Sequence, residues 1–470
     1  MNTTVILITL VTYKLVLLGI GLWGKGRNQD AEDFFLGGRR LGPFVASISA
    51  SASSSSAWTL LGVSGYAYAH GLQSLWLIPG CCGGFLLNWF LVAPALRRQS
   101  AESGAITLTE FLGGQEPGAA RVRVVASVII LASLGLYVAA QFNAAGLTFS
   151  KTFSSVSQQE SILIGGSVVL VYTLLGGFWA VSVTDTLQGM VMALTAIALP
   201  LAAFWEVGGW DAFVAGLNAV EHVGYMDLME GKALPVGIGA AIGLLSIGLG
   251  YPGQPHVVNR FMALRPGEKA LRVGQRWAMG WALTVYGGMI LLGLCGRILV
   301  ESVGNGEAVF IVLTAQLFPS VVAGILLAAV LSAIMSTADS QLLVAASSVT
   351  HDMVQTELTP AKQLFRSRVV IVLLSMAAMA AAMYGKESIF QSVLFACTAM
   401  GAAFGPVLMA RLCGWRLGAT RAIAVMICGA GVAVVAHYGF LGDSSLTKRL
   451  LPYVIALIVL LLPLPRPMPR

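Results

Sequence analysis

Thirteen apolar stretches separated by polar or charged residues run the length of the chain. They fall near 4–23, 43–68, 72–95, 121–148, 159–177, 182–206, 234–255, 273–300, 319–349, 366–384, 387–410, 418–438 and 449–464. Each is roughly long enough for a helix to cross a hydrocarbon core of about 30 Å. Two of them carry patterns that a plain membrane helix does not need. The second contains Ser49-Ala50-Ser51-Ala52-Ser53-Ser54-Ser55-Ser56-Ala57-Trp58, whose six hydroxyls gain nothing by facing lipid. Such small residues let a helix unwind where it lines a cavity, or pack closely on a neighbour. The seventh contains Gly248-Leu249-Gly250-Tyr251-Pro252-Gly253-Gln254-Pro255, where two prolines each remove a hydrogen bond and three glycines weaken the rest. A break in the helix is predicted there. The same residues spell GxGxxG, but a dinucleotide fingerprint needs a preceding strand and a helix N-terminus, which a membrane span does not offer.

Composition agrees with the pattern. The chain is 57% hydrophobic and 10% charged, against about 25% charged in soluble domains, which makes it an all-α polytopic membrane protein. A net charge of +7 would suit nucleic acid, but its distribution has a simpler reading. Basic residues gather in alternate loops: Lys25, Arg27, Arg39 and Arg40; Arg97, Arg98, Arg121 and Arg123; Arg260, Arg265, Lys269, Arg272 and Arg276; then Lys362, Arg366 and Arg368; Arg411, Arg416 and Arg421; and Arg466 and Arg470. The long intervening loop near 207–232 is acidic, with Asp211, Glu221, Asp227 and Glu230 against Lys232. This is the positive-inside pattern, and it predicts an N-terminus outside, a C-terminus in the cytoplasm and an odd number of spans. The first stretch has its charges behind it rather than ahead, the reverse of a signal peptide, so it is expected to be a retained span. The six cysteines sit in apolar stretches without metal-ligand spacing, and neither disulfides nor metal are inferred from them.

Polar groups at depth supply the candidate chemistry. The ninth stretch reads Leu331-Ser332-Ala333-Ile334-Met335-Ser336-Thr337-Ala338-Asp339-Ser340-Gln341. Ala333 and Thr337 lie one turn apart, so a carbonyl and a hydroxyl face one point; Ser336 lies beside them, and the second stretch offers carbonyls from Ala52 and Ser55. Such neutral oxygens suit Na⁺, a hard cation; the alternative is serine and threonine bonding back to their own helix. Ionisable residues in spans mark pathways by default. Asp185, at the start of the sixth stretch, reads as an interfacial cap, a relay on the exit side, or a second-site ligand together with Asp339. Trp58, Tyr137 and Tyr251 fall near mid-span, away from any aromatic girdle, and Gln141 stands one turn beyond Tyr137 as a donor to a solute. Trp23, Trp89, Trp205, Trp210, Trp277 and Trp415 fall near span ends as anchors, and the five histidines lie at ends or in loops. No lysine or arginine other than Lys14 lies mid-span, so nothing demands a strongly anionic solute. Neither nucleic acid nor an obligate protein partner is implied.

The second and seventh stretches are five apart and opposite in orientation, and paired interruptions of this kind point to a midplane binding site in inverted-repeat transporters. The sequence resembles the sodium/solute symporter family, most closely its sodium/proline branch. The resemblance rests on Phe35-Leu36-Gly37-Gly38-Arg39, on Gly177 through Thr186, and on Gly248 through His256. Arg260-Phe261-Met262-Ala263, Ser336-Thr337 with Gln341-Leu342-Leu343, and Gly401 through Pro406 complete it. It implies a LeuT-type fold of five plus five helices, with repeats at 41–206 and 233–410. A peripheral first helix and loop would occupy 1–40, and peripheral helices 411–470, all within one transporter domain. It also implies Na⁺ held by the carbonyls of Ala52, Ser55 and Ala333 and the hydroxyls of Ser336 and Thr337. Solute would lie near Ser56, Ala57, Trp58, Tyr137, Tyr251 and Pro255.

Three positions depart from the proline branch, two of them, Ser54 and Ile247, expected beside the solute. Ser54 stands where that branch has an aspartate, and Ile247 where it has a tryptophan, which removes a carboxylate and a stacking face; Asp339 replaces a small polar residue. The expected function is Na⁺-coupled import of a small organic solute across the plasma (inner) membrane, with proline or a related amino acid first. A monocarboxylate or pantothenate-like solute and a transporter-like sensor module are the alternatives. An intramembrane protease is disfavoured: neither HExxH nor GxSxG occurs, and Asp185 and Asp339 lack aspartyl-protease contexts.

Overall fold

The structure is a computed structural model that describes residues 2–24, 36–153, 155–175, 178–353, 360–385, 387–442 and 444–462. Lys25, Arg27, Phe35, Gly177, Arg466 and Arg470 lie outside the described residues, as does the side chain of Trp23. Regular structure among the described residues is helical. The first half comprises α1 Thr3–Gly24, α2 Pro43–Ser54, α3 Val63–His70, α4 Leu77–Leu86, α5 Ala93–Ser103, α6 Leu108–Gly113, α7 Ala119–Thr152, α8 Gln158–Leu175, α9 Phe178–Val207 and α10 Trp210–Asn218. The second comprises α11 Leu234–Leu245, α12 Pro255–Ala263, α13 Glu268–Leu299, α14 Val309–Leu317, α15 Ser320–Ser347, α16 Pro360–Tyr384, α17 Ile389–Leu412, α18 Ala419–His437, α19 Ser445–Arg449 and α20 Leu451–Leu461.

Ten helical stretches among the described residues are long and apolar enough to cross a membrane. The second and third expected spans run partly together as one 46-residue stretch, Trp58–Ser103, which turns at Gly71 with φ +58. The fifth expected span is α8, of 18 residues, and the last is α20, of 11. Helices are the form such sequences take because a lipid core leaves no water to satisfy backbone groups.

Both predicted interruptions are present. The first helix of the pair stops at Ser54; Ser55 takes φ −113, ψ 37, and the chain resumes as a π turn at Trp58–Gly62. The second pair member, α11, tightens into a 3₁₀ segment at Ser246–Gly253, Gln254 is extended, and α12 restarts with Pro255 at its first turn. Glycine is required here for contact. A Cβ on Gly248 would lie 2.3 Å from the Gly80 carbonyl of α4, and one on Gly253 would lie 2.5 Å from the Gly401 Cα of α17. The broken segment is therefore held backbone to backbone on two sides. At the centre, 83% of the apolar windows of α15 and α17 is buried, against 17% for α1.

Candidate functional site

The end of α2 meets the middle of α15. The Thr337 hydroxyl donates to the Ser53 carbonyl at 3.1 Å, and the Ser53 hydroxyl donates to the Ser336 carbonyl at 3.0 Å. Ala52, Ser55, Ala333, Ser336 and Thr337 are all fully buried, so the two stretches read separately in the sequence do converge. Several of their oxygens are engaged within the protein in this arrangement. Ser336 donates to the Ala333 carbonyl at 3.4 Å, and the Ser55 N–H donates to the Ala52 carbonyl at 3.3 Å. Ser53, which the sequence reading passed over, is the residue that joins the two helices.

The solute candidates also gather at the break, and all are buried. Gln141, expected as a donor to solute, is bonded to the break within the protein. Its amide nitrogen donates to Ser56 Oγ at 3.2 Å and its oxygen accepts the Ala57 N–H at 3.1 Å, while the Tyr137 hydroxyl donates to Ser56 Oγ at 3.3 Å. Unwound backbone needs such partners away from water. Ser54, expected near solute, turns back to the Ser51 carbonyl at 2.9 Å. The Trp58 ring lies 5.9 Å from Tyr286 and 5.8 Å from Phe390, with its indole nitrogen buried and unpartnered. The Tyr251 hydroxyl is 2.7 Å from that of Tyr286, which in turn is 3.3 Å from Ser55 Oγ. Tyr286, on α13, thus links both breaks. Ile247 lies in the 3₁₀ segment and Pro255 opens α12.

Asp185 is not an interfacial cap. The helix begins at Phe178, so Asp185 lies two turns inside α9, and it is fully buried. Its Oδ2 accepts from Arg260 Nη2 at 2.6 Å and from Ser49 at 3.0 Å, and Ser53 Oγ lies 3.2 Å away. Arg260 also donates to Ser49 Oγ at 2.7 Å, to Ser340 Oγ at 2.6 Å and to the His256 carbonyl. Only 1% of its surface is exposed, which corrects one expectation: Arg260 is no solvated loop charge. Val257-Val258, beyond Asn259, and Phe261-Met262-Ala263 were the available signal, since a solvated cation is seldom set among so many apolar residues. Asp339 joins the cluster through Ser340, whose hydroxyl lies 3.4 Å from one oxygen of each carboxylate. The Asp339 Oδ1 accepts the Ser340 N–H at 2.6 Å, and its Oδ2 is buried without a partner.

Two further expectations change. His256 is fully buried beside the Tyr137 ring, 6.0 Å between centroids, and neither ring nitrogen has a hydrogen-bond partner. Among the tryptophans, Trp205, Trp210, Trp277 and Trp415 are exposed as girdle residues would be, whereas Trp89 is 1% exposed and packs edge-on against Phe261. An anchor faces lipid headgroups; Trp89 is core.

Residues 34–429 match the sodium:solute symporter family. The osmoregulated proline transporter OpuE of Bacillus subtilis (strain 168) is 33% identical over 465 residues, which cover 96% of this chain and 93% of that protein. The sodium/proline symporter of Escherichia coli (strain K12) is 34% identical over 459 residues, 94% of this chain and 89% of its own. A Na⁺-coupled sialic acid symporter, solved in a substrate-bound outward-open state, superposes with a TM-score of 0.79 at 18% identity, covering 97% of this chain and 96% of that one. Full-length sequence matches and a shared helical fold lead to one assignment: the chain belongs to the sodium:solute symporter family.

Proposed function

We propose that Na⁺ binds where α2 and α15 meet and drives import of a small neutral or zwitterionic solute, with proline or a related amino acid as first choice. The chain is a secondary transporter and not an enzyme. The observation that carries the proposal is the broken end of α2 bonded to the middle of α15, with the Thr337 hydroxyl donating to the Ser53 carbonyl, in a chain that carries a second break at Ser246–Gly253. Carbonyls of Ala52, Ser55 and Ala333 and hydroxyls of Ser336 and Thr337 would hold the ion once it displaces these internal bonds. Solute would lie against Ser54, Ser56, Ala57, Trp58, Tyr137, Gln141, Ile247, Tyr251 and Pro255. Asp185 and Asp339 would serve as a relay or second ion site.

The architecture proposed with this is one transporter domain of thirteen spans in the plasma membrane, N-terminus outside and C-terminus cytoplasmic. Inverted repeats would occupy 41–206 and 233–410. Moving one charge inward gains about 2.3 kcal/mol per 100 mV, and a tenfold Na⁺ gradient adds about 1.4 kcal/mol. One ion therefore supports roughly several-hundred-fold accumulation in the ideal limit. Ser54 and Ile247, one without a carboxylate and one without an aromatic face, favour a second reading in which a monocarboxylate or pantothenate-like solute replaces proline.

The test is uptake of radiolabelled proline into proteoliposomes, with and without an inward Na⁺ gradient, for the native chain and Thr337→Ala. Gradient-driven uptake that fails in the variant supports ion site and solute together. Uptake of a monocarboxylate or pantothenate instead keeps the ion site and moves the solute. Binding of Na⁺ and solute without any uptake sinks the transport reading and leaves the sensor.

A further inference from the structure

Away from the breaks, a second group of metal-ligating side chains meets where the ion-bearing helix ends. After Ser347, α15 continues as a wider π turn, Ser348–Met353. Such turns are rare and often mark functional positions, because i→i+5 bonding alters the directions in which successive side chains leave the helix. His351 and Asp352 sit on this turn and face α6. There Thr107 caps the helix by accepting the Glu110 N–H at 3.1 Å, while Glu110 accepts the Ile106 N–H at 2.8 Å. Glu110 Oε1 is 2.8 Å from His351 Nε2, and the Thr107 hydroxyl donates to Asp352 Oδ1 at 2.8 Å.

The ligand atoms of Glu110, His351 and Asp352 all lie within 4.8 Å of one another. Three donors about 2.1 Å from a tetrahedral ion stand roughly 3.4 Å apart, so small side-chain rotations would close the set. Asp352 gives the independent sign that something is to be bound. It is 1% exposed, and its Oδ2 has no hydrogen-bond partner, an arrangement that is unfavourable unless a cation or donor completes it. Arg123 stands at the edge, with its Nη1 3.9 Å from Glu110 Oε1. One imidazole nitrogen and two carboxylate oxygens suit a borderline divalent ion such as Zn²⁺, with water in the fourth position.

We propose that Glu110, His351 and Asp352 form a divalent transition-metal site that ties α6 to the end of α15. The ion would clamp a short connecting helix to the helix that carries Ala333, Ser336, Thr337 and Asp339.

Co²⁺ titration of the untagged full chain in detergent tests this, on a Cys413→Ser background because Cys413 is an exposed thiol. A saturable visible d–d absorption at one equivalent is expected, displaced by Zn²⁺. It should vanish in His351→Ala, and its midpoint should rise at least about tenfold in Asp352→Asn. A midpoint of heat denaturation raised by Zn²⁺ in the native chain but not in either variant supports the same site. Gel-filtration profiles identical to the native chain establish that the variants are folded. Absence of a saturable band in the folded native chain overturns the proposal, and so does a band that both variants retain unchanged, which would make the Glu110–His351 contact an ion pair and no more.

Discussion

Arg260→Gln is expected to destabilise this protein more than most single substitutions, and the structure gives the size. The guanidinium stands 2.6 Å from Asp185 Oδ2 with both side chains essentially unexposed. With charge centres about 4 Å apart and an effective dielectric near 20, their attraction is about 4 kcal/mol. Removing one partner strands the other, for which about 3–5 kcal/mol is the usual penalty. Serines 49, 53 and 340 would remain around Asp185, and hydroxyls alone cannot neutralise two neighbouring carboxylates. Unfolding by SDS in mixed micelles, followed by tryptophan fluorescence, measures the loss. The decisive comparison adds Asp185→Asn and the double variant. If the pair acts as drawn, the double variant recovers about 2–3 kcal/mol relative to the sum of the singles. Strict additivity, or an Arg260→Gln protein as stable as the native chain, would refute the reasoning.

Four other outcomes follow from separate parts of the molecule. Gly248→Ala forces a Cβ to within 2.3 Å of the Gly80 carbonyl and should lower stability by about 1–3 kcal/mol. Gly280→Ala, with open space around it in α13, should raise stability by about 0.5–1 kcal/mol; thermal denaturation in detergent distinguishes the two. Gln141→Ala leaves the buried Ala57 N–H without its acceptor, a loss of about 1–3 kcal/mol, and hydrogen exchange should quicken at residues 55–58 before it does so elsewhere. In the loop before α11, burial pushes the Glu230 carboxyl up, but hydrogen bonds from Lys232 and His70 outweigh it and hold the group below its ordinary range. That support is present above about pH 4.3, the unfolded value, and is lost as pH falls through the lower folded value. Glu230→Gln should therefore flatten the acid-side rise in proteolysis of this loop, by an amount near the 0–1 kcal/mol of a solvent-screened pair, and an unchanged acid profile would disprove the contact.

The sequence by itself determined what depends on neighbouring residues and on the solvent. Long apolar runs in a medium without water can satisfy their backbones as helices, so the all-α membrane class was legible. Gly248, Pro252 and Pro255 cannot sustain a regular helix, so the second break was legible too, and the serine run marked the first. Motifs spread from the first loop to Pro406 carried the family. Tertiary structure decided the rest, because burial and pairing depend on chain segments far apart. Arg260 looked like one loop cation among several until folding set it against Asp185, 75 residues away. Asp185 read equally as a cap until the start of α9 at Phe178 put it two turns inside. Gln141 became a staple for the Ser56 hydroxyl and the Ala57 N–H only because α7 crosses the break there. Nothing local separated Trp89 from Trp277 either: Gly274 of α13 lets the Trp89 ring approach, while Trp277 stays half-exposed. Local sequence fixes which conformations a segment can adopt, whereas the charge and hydrogen-bond partners of a buried group are chosen by which helices pack beside it.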